Sequence, residues 1–268
     1  MSELSGVTVV VTRPAHQAEK LCQLIEAAGA RALRFPVIDI QPPENPQQCQ
    51  AQLTQLADYD LAIFVSANAV NATMAMLKKP QAWPMALPLA AVGKATAQAL
   101  IKKGLPAPQV APEPFNSEAL LSLPELQKLD GKRILIFRGN SGRELLRNCL
   151  RERGAQVDYF ECYQRAIPKS DTRPLYAAWD QVQAKPGTMP IVVTSNQGLQ
   201  NLVSMIDKEH QPTLFASPLV VISERMVSLS ARLGFSQAPV VAMAANDDAV
   251  LVALKTWAKS RIRAEKIL

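Results

Sequence analysis

The chain has 268 residues, 48% apolar and 19% charged, the composition of a folded globular protein with room for one large or two ordinary domains. Its formal charge is +6, its four cysteines (Cys22, Cys49, Cys149 and Cys162) show no C-x-x-C spacing, and its histidines are His16 and His210 alone. That pattern argues against a disulfide framework, a zinc site, a His-rich metal centre and a Ser-His-Asp triad. Any chemistry must run on hydroxyls, amides, carboxylates or guanidinium groups. With only 5% aromatic residues the cores are expected to be aliphatic, and 20 prolines point to frequent breaks between elements.

Val7 to Val11 reads as a buried-type strand, followed by a turn at Thr12-Arg13-Pro14. The run is too short for a signal peptide and has no basic leader, and no stretch approaches the ~18 apolar residues of a membrane span. These features predict a cytoplasmic protein. A helix carrying Leu21, Leu24, Ile25 and Ala28 ends at Gly29, and Ala30 to Phe35 forms a second strand. Pro36, Pro42, Pro43 and Pro46 predict an extended connector. Strand–turn–helix units then follow from Asp60, Leu87 and Gln109, and the pattern restarts at Lys132 to Phe137 with a turn over Arg138-Gly-Asn-Ser-Gly-Arg143. Val157 to Pro168 is a long extended segment with Tyr163 near its centre. Pro168 and Pro174 bracket a second polar connector, and strands are expected at Pro190–Thr194, Leu219–Ile222 and Val240–Met243. Recurring units of this kind predict parallel α/β structure. The basic residues Lys259, Arg261, Arg263 and Lys266 read as a solvated helix end rather than a nucleic-acid patch.

The two parts of the chain match at an offset of about 125 to 130 residues, a spacing typical of duplicated domains. Glu19, Leu21, Gly29, Ala30 and Phe35 fall on Glu144, Leu146, Gly154, Ala155 and Phe160; Ser66 falls on Ser195, Pro88 on Pro218, Gly104 on Gly234 and Asn116 on Asn246. Contiguous halves cut near Asp130 are one parse. The favoured parse has the chain cross twice, so that residues 1–35 and 172–260 form one domain and 45–160 the other. Residues 36–44 and 161–171 are then hinge strands pairing as a two-stranded ladder, with Phe35–Ile40 opposite Val157–Pro168, and 261–268 is a basic tail.

In parallel α/β sheets ligands bind at the carboxyl ends of strands, where helix N-termini present free amides. The candidate turns are Thr12-Arg13, Ser66 to Asn68, Gly93 to Thr96, Arg138 to Arg143, Ser195-Asn196 and Ser223, rich in hydroxyls and amides suited to carboxylates or phosphates. Each Ser, Thr or Asn alone is more simply a helix cap; their recurrence in both copies carries more weight. The Arg138–Arg143 turn lacks the Lys-Ser/Thr ending of a Walker motif and the G-x-G-x-x-G dinucleotide fingerprint, so ATP and NAD are unsupported.

Taken in order, V-V-T-R-P at Val10–Pro14, F-V-S-A-N-A-V at Phe64–Val70, A-V-G-K-A-T-A at Ala91–Ala97, R-G-N-S-G-R-E-L-L at Arg138–Leu146 and the segment Glu152–Pro168 resemble the uroporphyrinogen-III synthase family. The resemblance implies two similar parallel-sheet α/β domains joined by a two-stranded β-ladder, with the site in the cleft between them. It implies a lyase of tetrapyrrole and haem biosynthesis that takes hydroxymethylbilane, a linear tetrapyrrole with eight carboxylates, without metal or cofactor. Loss of the terminal hydroxyl gives an azafulvene, and closure through a spiro intermediate inverts the last pyrrole. By the resemblance, Tyr163 matches the tyrosine that assists departure of the hydroxyl, Thr96 a substrate-contacting threonine, and Ser66 and Ser195 hydroxyl-bearing turns. Many members carry glycine and threonine where this chain has Ser223-Glu224-Arg225. The expected site is thus Tyr163 as the catalytic residue, with Arg13, Ser66, Asn68, Thr96, Arg138, Gly139, Ser195, Asn196 and Ser223 binding substrate. The expected partners are that substrate and, transiently, the upstream bilane-forming enzyme, with no nucleic acid and no membrane, and the expected state is a monomer. The competing readings are a two-domain, hinge-closing binding protein for a small anion and, more distantly, a tandem receiver-like regulator.

Overall fold

The computed structural model describes residues 3–77, 82–182 and 188–265, with side chains 182 and 262–265 outside the description. In chain order the first elements are β1 (Thr8–Val11), α1 (Ala15–Ala27), β2 (Arg31–Arg34), β3 (Asp39–Gln41), α2 (Pro46–Thr54), β4 (Leu61–Phe64), α3 (Ala67–Met76) and β5 (Leu89–Ala91). Next come α4 (Lys94–Lys102), β6 (Gln109–Val110), α5 (Ser117–Leu121), β7 (Arg133–Gly139), α6 (Leu145–Glu152), β8 (Gln156–Ala166) and α7 (Arg173–Val182). The last are β9 (Ile191–Val192), α8 (Asn196–Met205), α9 (Gln211–Ala216), β10 (Leu219–Val221), α10 (Glu224–Leu233), β11 (Val240–Val241) and α11 (Asp247–Glu265).

The chain divides into two compact units, Met1–Asp39 with Ala166–Leu268, and Ile40–Arg165. Among the described residues the first unit holds a sheet in the order β11-β10-β9-β1-β2, and the second a sheet in the order β3-β8-β7-β4-β5-β6. Every registered pairing in the first sheet is parallel, as are the β8-β7-β4-β5-β6 pairings of the second. The α/β class with parallel sheets is therefore as the sequence predicts.

Each sheet is buried on both faces, which is why its strands read as unbroken apolar runs. In the first unit, Val9 and Val11 pack with Leu21, Ile25 and Leu254, while on the other face Val10 lies beside Ile191 and packs with Leu199 and Leu202. In the second, Ile63, Ile134 and Ile136 pack under Leu146 and Leu150. The opposite face overturns the expectation of wholly aliphatic cores. Phe64 and Phe137 stack at 4.2 Å, and Trp83 and Phe160 close around Phe137 at 5.7 and 4.9 Å. Few aromatics in the chain still make a dense cluster when four adjoin, each pair adding about 0.5–1.5 kcal/mol beyond area burial.

Several sequence expectations are corrected. The first connector is not wholly extended: α2 begins at Pro46, because proline at a helix's first position loses no hydrogen bond the helix would use. For the same reason α7 starts at Arg173, with Pro174 in its first turn. The expected pairing segment Phe35–Ile40 is strand only from Asp39; Phe35 and Val37 are instead buried in the first unit, where Asn201 Nδ2 donates to the Val37 carbonyl at 2.8 Å. Arg138 and Gly139 are not turn residues but the last two of β7. The basic tail is helical backbone as far as Glu265, and Lys266 to Leu268 lie outside the described residues. Among the described residues no helix is long and apolar enough to cross a membrane.

Positions matched by the repeat take the same local roles. Ser66 and Ser195 precede α3 and α8 with nearly identical backbone angles (φ −159° for both), and each accepts a hydrogen bond from the amide three residues on. Asn116 and Asn246 likewise accept from Ala119 and Ala249. Gly29 and Gly154, at φ 82° and 91°, end the first helix of each copy in the left-handed conformation that favours glycine.

Candidate functional site

The phenol of Tyr163 is the centre of a polar site that lies wholly within the unit Ile40–Arg165. Tyr163 is 1% exposed and stands on β8 opposite Gly139 of β7. The register slips between the pairs Arg138–Glu161 and Gly139–Tyr163, leaving Cys162 as an extra residue, a β-bulge. The bulge breaks the strand's alternation, so Tyr163 joins Phe160 and Cys162 on the face packed by Ala69 and Val70 of α3. There its ring rests on bare backbone: a Cβ at Gly139 would lie 2.7 Å from Cε2 and 2.8 Å from Cζ. Asn140 fixes the strand on both sides of the ring. Its amide donates to the Tyr163 carbonyl at 3.0 Å, and its Oδ1 accepts from the Arg165 amide at 3.0 Å.

The phenol oxygen lies 3.4 Å from Ser66 Oγ and accepts from Arg165 Nη2 at 3.3 Å. Ser66 caps α3, its Oγ accepting from the Ala69 amide at 3.2 Å, so the hydroxyl that faces the tyrosine is also the helix cap. A cavity of about 150 Å³ opens here, with Tyr163, Arg165, Gly139, Arg138, Tyr159 and Arg143 among its lining residues.

Arg138 lines this cavity, but its charge is already engaged. It is 5% exposed; Nη1 donates to Glu144 at 3.0 Å, Nε donates to the Gly139 carbonyl at 3.1 Å, and the guanidinium lies 4.3 Å from the Tyr159 ring centre. Glu144 also accepts from the Tyr159 hydroxyl at 3.0 Å and pairs with Arg147 at 2.6 Å. Burial pushes the Glu144 carboxyl up, but the bonds from Tyr159 and Arg138 and the charges of both arginines outweigh it and hold the group below its ordinary value. The Tyr159 phenol is pushed up, first by burial and then by Glu144. Arg138 thus frames the cavity wall.

Two further expected residues sit in first helical turns of this unit. Thr96, 5% exposed, lies in the first turn of α4, which Gly93 opens without a capping side chain; its hydroxyl makes no hydrogen bond among the described residues. Asn68 lies in the first turn of α3.

In the other unit, Arg13, Ser195, Asn196 and Ser223 follow β1, β9 and β10, neighbouring parallel strands, and so share the carboxyl edge of that sheet. Arg13 forms an ion pair with Asp247 at the start of α11, both side chains 14% exposed. Ser195 Oγ accepts from the Gly198 amide at 2.9 Å, and Asn196 is the exposed first residue of α8. Ser223 precedes α10 but makes no capping bond.

The structure therefore gathers Ser66, Arg138, Gly139 and Tyr163 at one place. Arg165, Asn140 and the Glu144–Tyr159 pair were not singled out from sequence. Arg165 had a readable signal, since residues two apart on a strand share a face. The other three depend on the bulge and the loop after it, which no periodicity announces.

Residues 19–250 match the family described as uroporphyrinogen-III synthase HemD. The chain is 38% identical over 253 residues to the uroporphyrinogen-III synthase of Escherichia coli (strain K12), covering 93% of this chain and 100% of that one. It is 36% identical, with the same coverage, to that of Salmonella typhimurium. Among solved structures, a mutant uroporphyrinogen III synthase from the extremely thermophilic bacterium Thermus thermophilus superposes with a TM-score of 0.63 at 20% identity, over 95% of this chain and 100% of that one. The uroporphyrinogen-III synthetase of Helicobacter pylori 26695 does so with a TM-score of 0.58 at 15% identity, over 93% and 99%. The two structures share the fold, and the family match and the two sequence relatives decide the rest: this chain belongs to the uroporphyrinogen-III synthase family.

Proposed function

We infer that the protein is a lyase that closes hydroxymethylbilane to uroporphyrinogen III, with loss of water and inversion of the last pyrrole ring. Beyond the family match, one observation supports a role for Tyr163: a phenol with a buried ring lines a cavity beside Ser66 and Arg165. A phenol can hydrogen-bond a leaving hydroxyl without titrating near neutral pH. In the proposed step the C–O bond of the hydroxymethyl group breaks, and its electron pair leaves on the oxygen, which departs as water. The pyrrole nitrogen gives up its proton as the azafulvene forms, so the tyrosine is unchanged over the cycle. Ring closure then follows without a nucleophilic side chain. Because the bilane closes by itself to the unrearranged isomer I, the protein's main task is to hold the conformation that leads to isomer III.

We assign the carboxylates to helix N-termini and hydroxyls: Ser66, Asn68 and Thr96 in one unit, Ser195, Asn196 and Ser223 in the other. The Thr96 hydroxyl, unbonded among the described residues, and Ser223, which makes no capping bond, are the least committed of these. Arg138 and Gly139 shape the cavity. For Arg13, held by Asp247, we propose a structural share. We further propose a cytoplasmic monomer that meets the bilane-forming enzyme transiently, since its substrate is short-lived in water; sedimentation would test the first point and co-sedimentation the second. The deciding assay generates hydroxymethylbilane in situ and separates the oxidised isomers. Isomer III above the blank is expected, and isomer I alone would sink the reading.

A further inference from the structure

Among the described residues, Arg165 is the cation at the tyrosine whose charge the fold does not use. Arg138 and Arg147 are paired to Glu144, and Arg143 to Glu118. Arg165 makes no ion pair among the described residues; its side chain reaches only the phenol, with Nη2 3.3 Å from the oxygen and the guanidinium carbon 5.8 Å from the ring centre. Its backbone is fixed by the bond from its amide to Asn140 Oδ1, so this placement is built into the strand. A half-buried guanidinium spent on a neutral oxygen calls for an account, because a carboxylate would be the usual partner.

We propose that Arg165 is a positioning residue for the reaction, acting through Tyr163. A guanidinium can only donate, so the phenol oxygen must accept at that contact. Ser66 Oγ already accepts from the Ala69 amide and keeps its own hydrogen to give. The phenol hydrogen is then left for an oxygen in the cavity, which under the reading above is the departing hydroxyl of the bilane. As that C–O bond lengthens, the phenol hydrogen moves toward the leaving oxygen and negative charge grows on the phenol oxygen. The fixed positive charge of Arg165 stabilises that charge where it develops and needs no rearrangement to do so. Such a contribution raises kcat and leaves ground-state binding nearly unchanged.

This proposal rests on the role assigned to Tyr163, and a double-mutant cycle separates the two. Arg165→Met is expected to lower kcat by about 10- to 100-fold with KM within about threefold, and Arg165→Lys, which keeps the charge, to recover part of the loss. In a Tyr163→Phe background, where no phenol oxygen remains, Arg165→Met should change kcat by less than about twofold. Thermal unfolding of each variant checks that the fold is retained; if Arg165→Met does not fold, Arg165→Lys and Arg165→Gln carry the same comparison. A full Arg165 effect persisting in the Tyr163→Phe background, or one confined to KM, would overturn the proposal and make Arg165 a carboxylate-binding residue. If Tyr163→Phe is slow while Arg165→Met is as fast as the parent, the Arg165 role falls and that of Tyr163 stands. If Tyr163→Phe is as fast as the parent, both fall.

Discussion

Tyr163 lies on Gly139 so closely that the glycine's missing side chain is part of the tyrosine's seat: a Cβ there would come within 2.7 Å of the ring. Gly139→Ala must therefore shift a buried ring hemmed in by Phe160, Cys162 and α3. Overpacking of this kind costs about 1–3 kcal/mol. The phenol would move away from Ser66 and Arg165, so the expected outcome is a fold that persists by circular dichroism with kcat down by at least about tenfold. Parent activity in Gly139→Ala would show that the ring's position is not critical.

Tyr163→Phe keeps the ring and its packing and removes one hydroxyl with long hydrogen bonds. Its stability cost should stay within about 0.5–1.5 kcal/mol, whereas, under the role proposed for the phenol, loss of the donor to the leaving hydroxyl should slow turnover by about 10²- to 10⁴-fold. Urea titration and single-turnover formation of isomer III measure the two effects separately.

Arg13 tests a different division of labour. Its pair with Asp247 ties the end of β1 to the start of α11, and both groups are largely screened from water. Arg13→Ala leaves the Asp247 carboxylate without this partner, so stability should fall by about 1–3 kcal/mol with KM changed less than about threefold. A rise in KM with unchanged stability would mean instead that Arg13 grips a substrate carboxylate.

Alkaline pH should loosen the protein. Burial, and then the hydrogen bond to Asp158, pushes the Tyr59 phenol up from 10.0 to about 12, and burial pushes the Cys162 thiol up from 9.0 to about 12. Both folded values exceed the unfolded ones, so the fold favours the protonated forms. Their contribution is complete below about pH 9 and is lost as pH rises from there toward about 12. The loss should total about 2–4 kcal/mol by about pH 11. A lower urea midpoint at about pH 11 than at about pH 8, with a smaller drop in Tyr59→Phe, is the expected result; equal midpoints would contradict it.

The sequence was most informative where local chemistry decides structure. Ser66, Ser195, Asn116 and Asn246 are helix caps because a short polar side chain before an apolar helix has few better uses, and the repeat marks the same position twice. The α/β class followed from the strand–turn–helix rhythm. Tyr163 was singled out through a family resemblance and not through its spacing. What stayed hidden depends on contacts far apart in the chain: Arg13 meets Asp247 across 234 residues, and the Phe64–Phe137 stack joins two strands. The helix at Pro46 was missed because proline was read as a breaker rather than as a helix's first residue.

The bulge at Cys162 bears on how this segment can change over time. The direction in which Tyr163 points is set by which residue stands opposite Gly139, since β8 carries one more residue than β7 across the Arg138–Gly139 step and Cys162 is left out of the pairing. Closing the bulge with every residue kept, so that Cys162 rather than Tyr163 stood opposite Gly139, would turn the phenol to the opposite side of the sheet, whereas removing Cys162 itself would leave Tyr163 opposite Gly139. The direction of the phenol therefore belongs to the backbone pairing of β8 with β7, and side chains in β8 can be exchanged without turning it as long as Tyr163 keeps its place opposite Gly139.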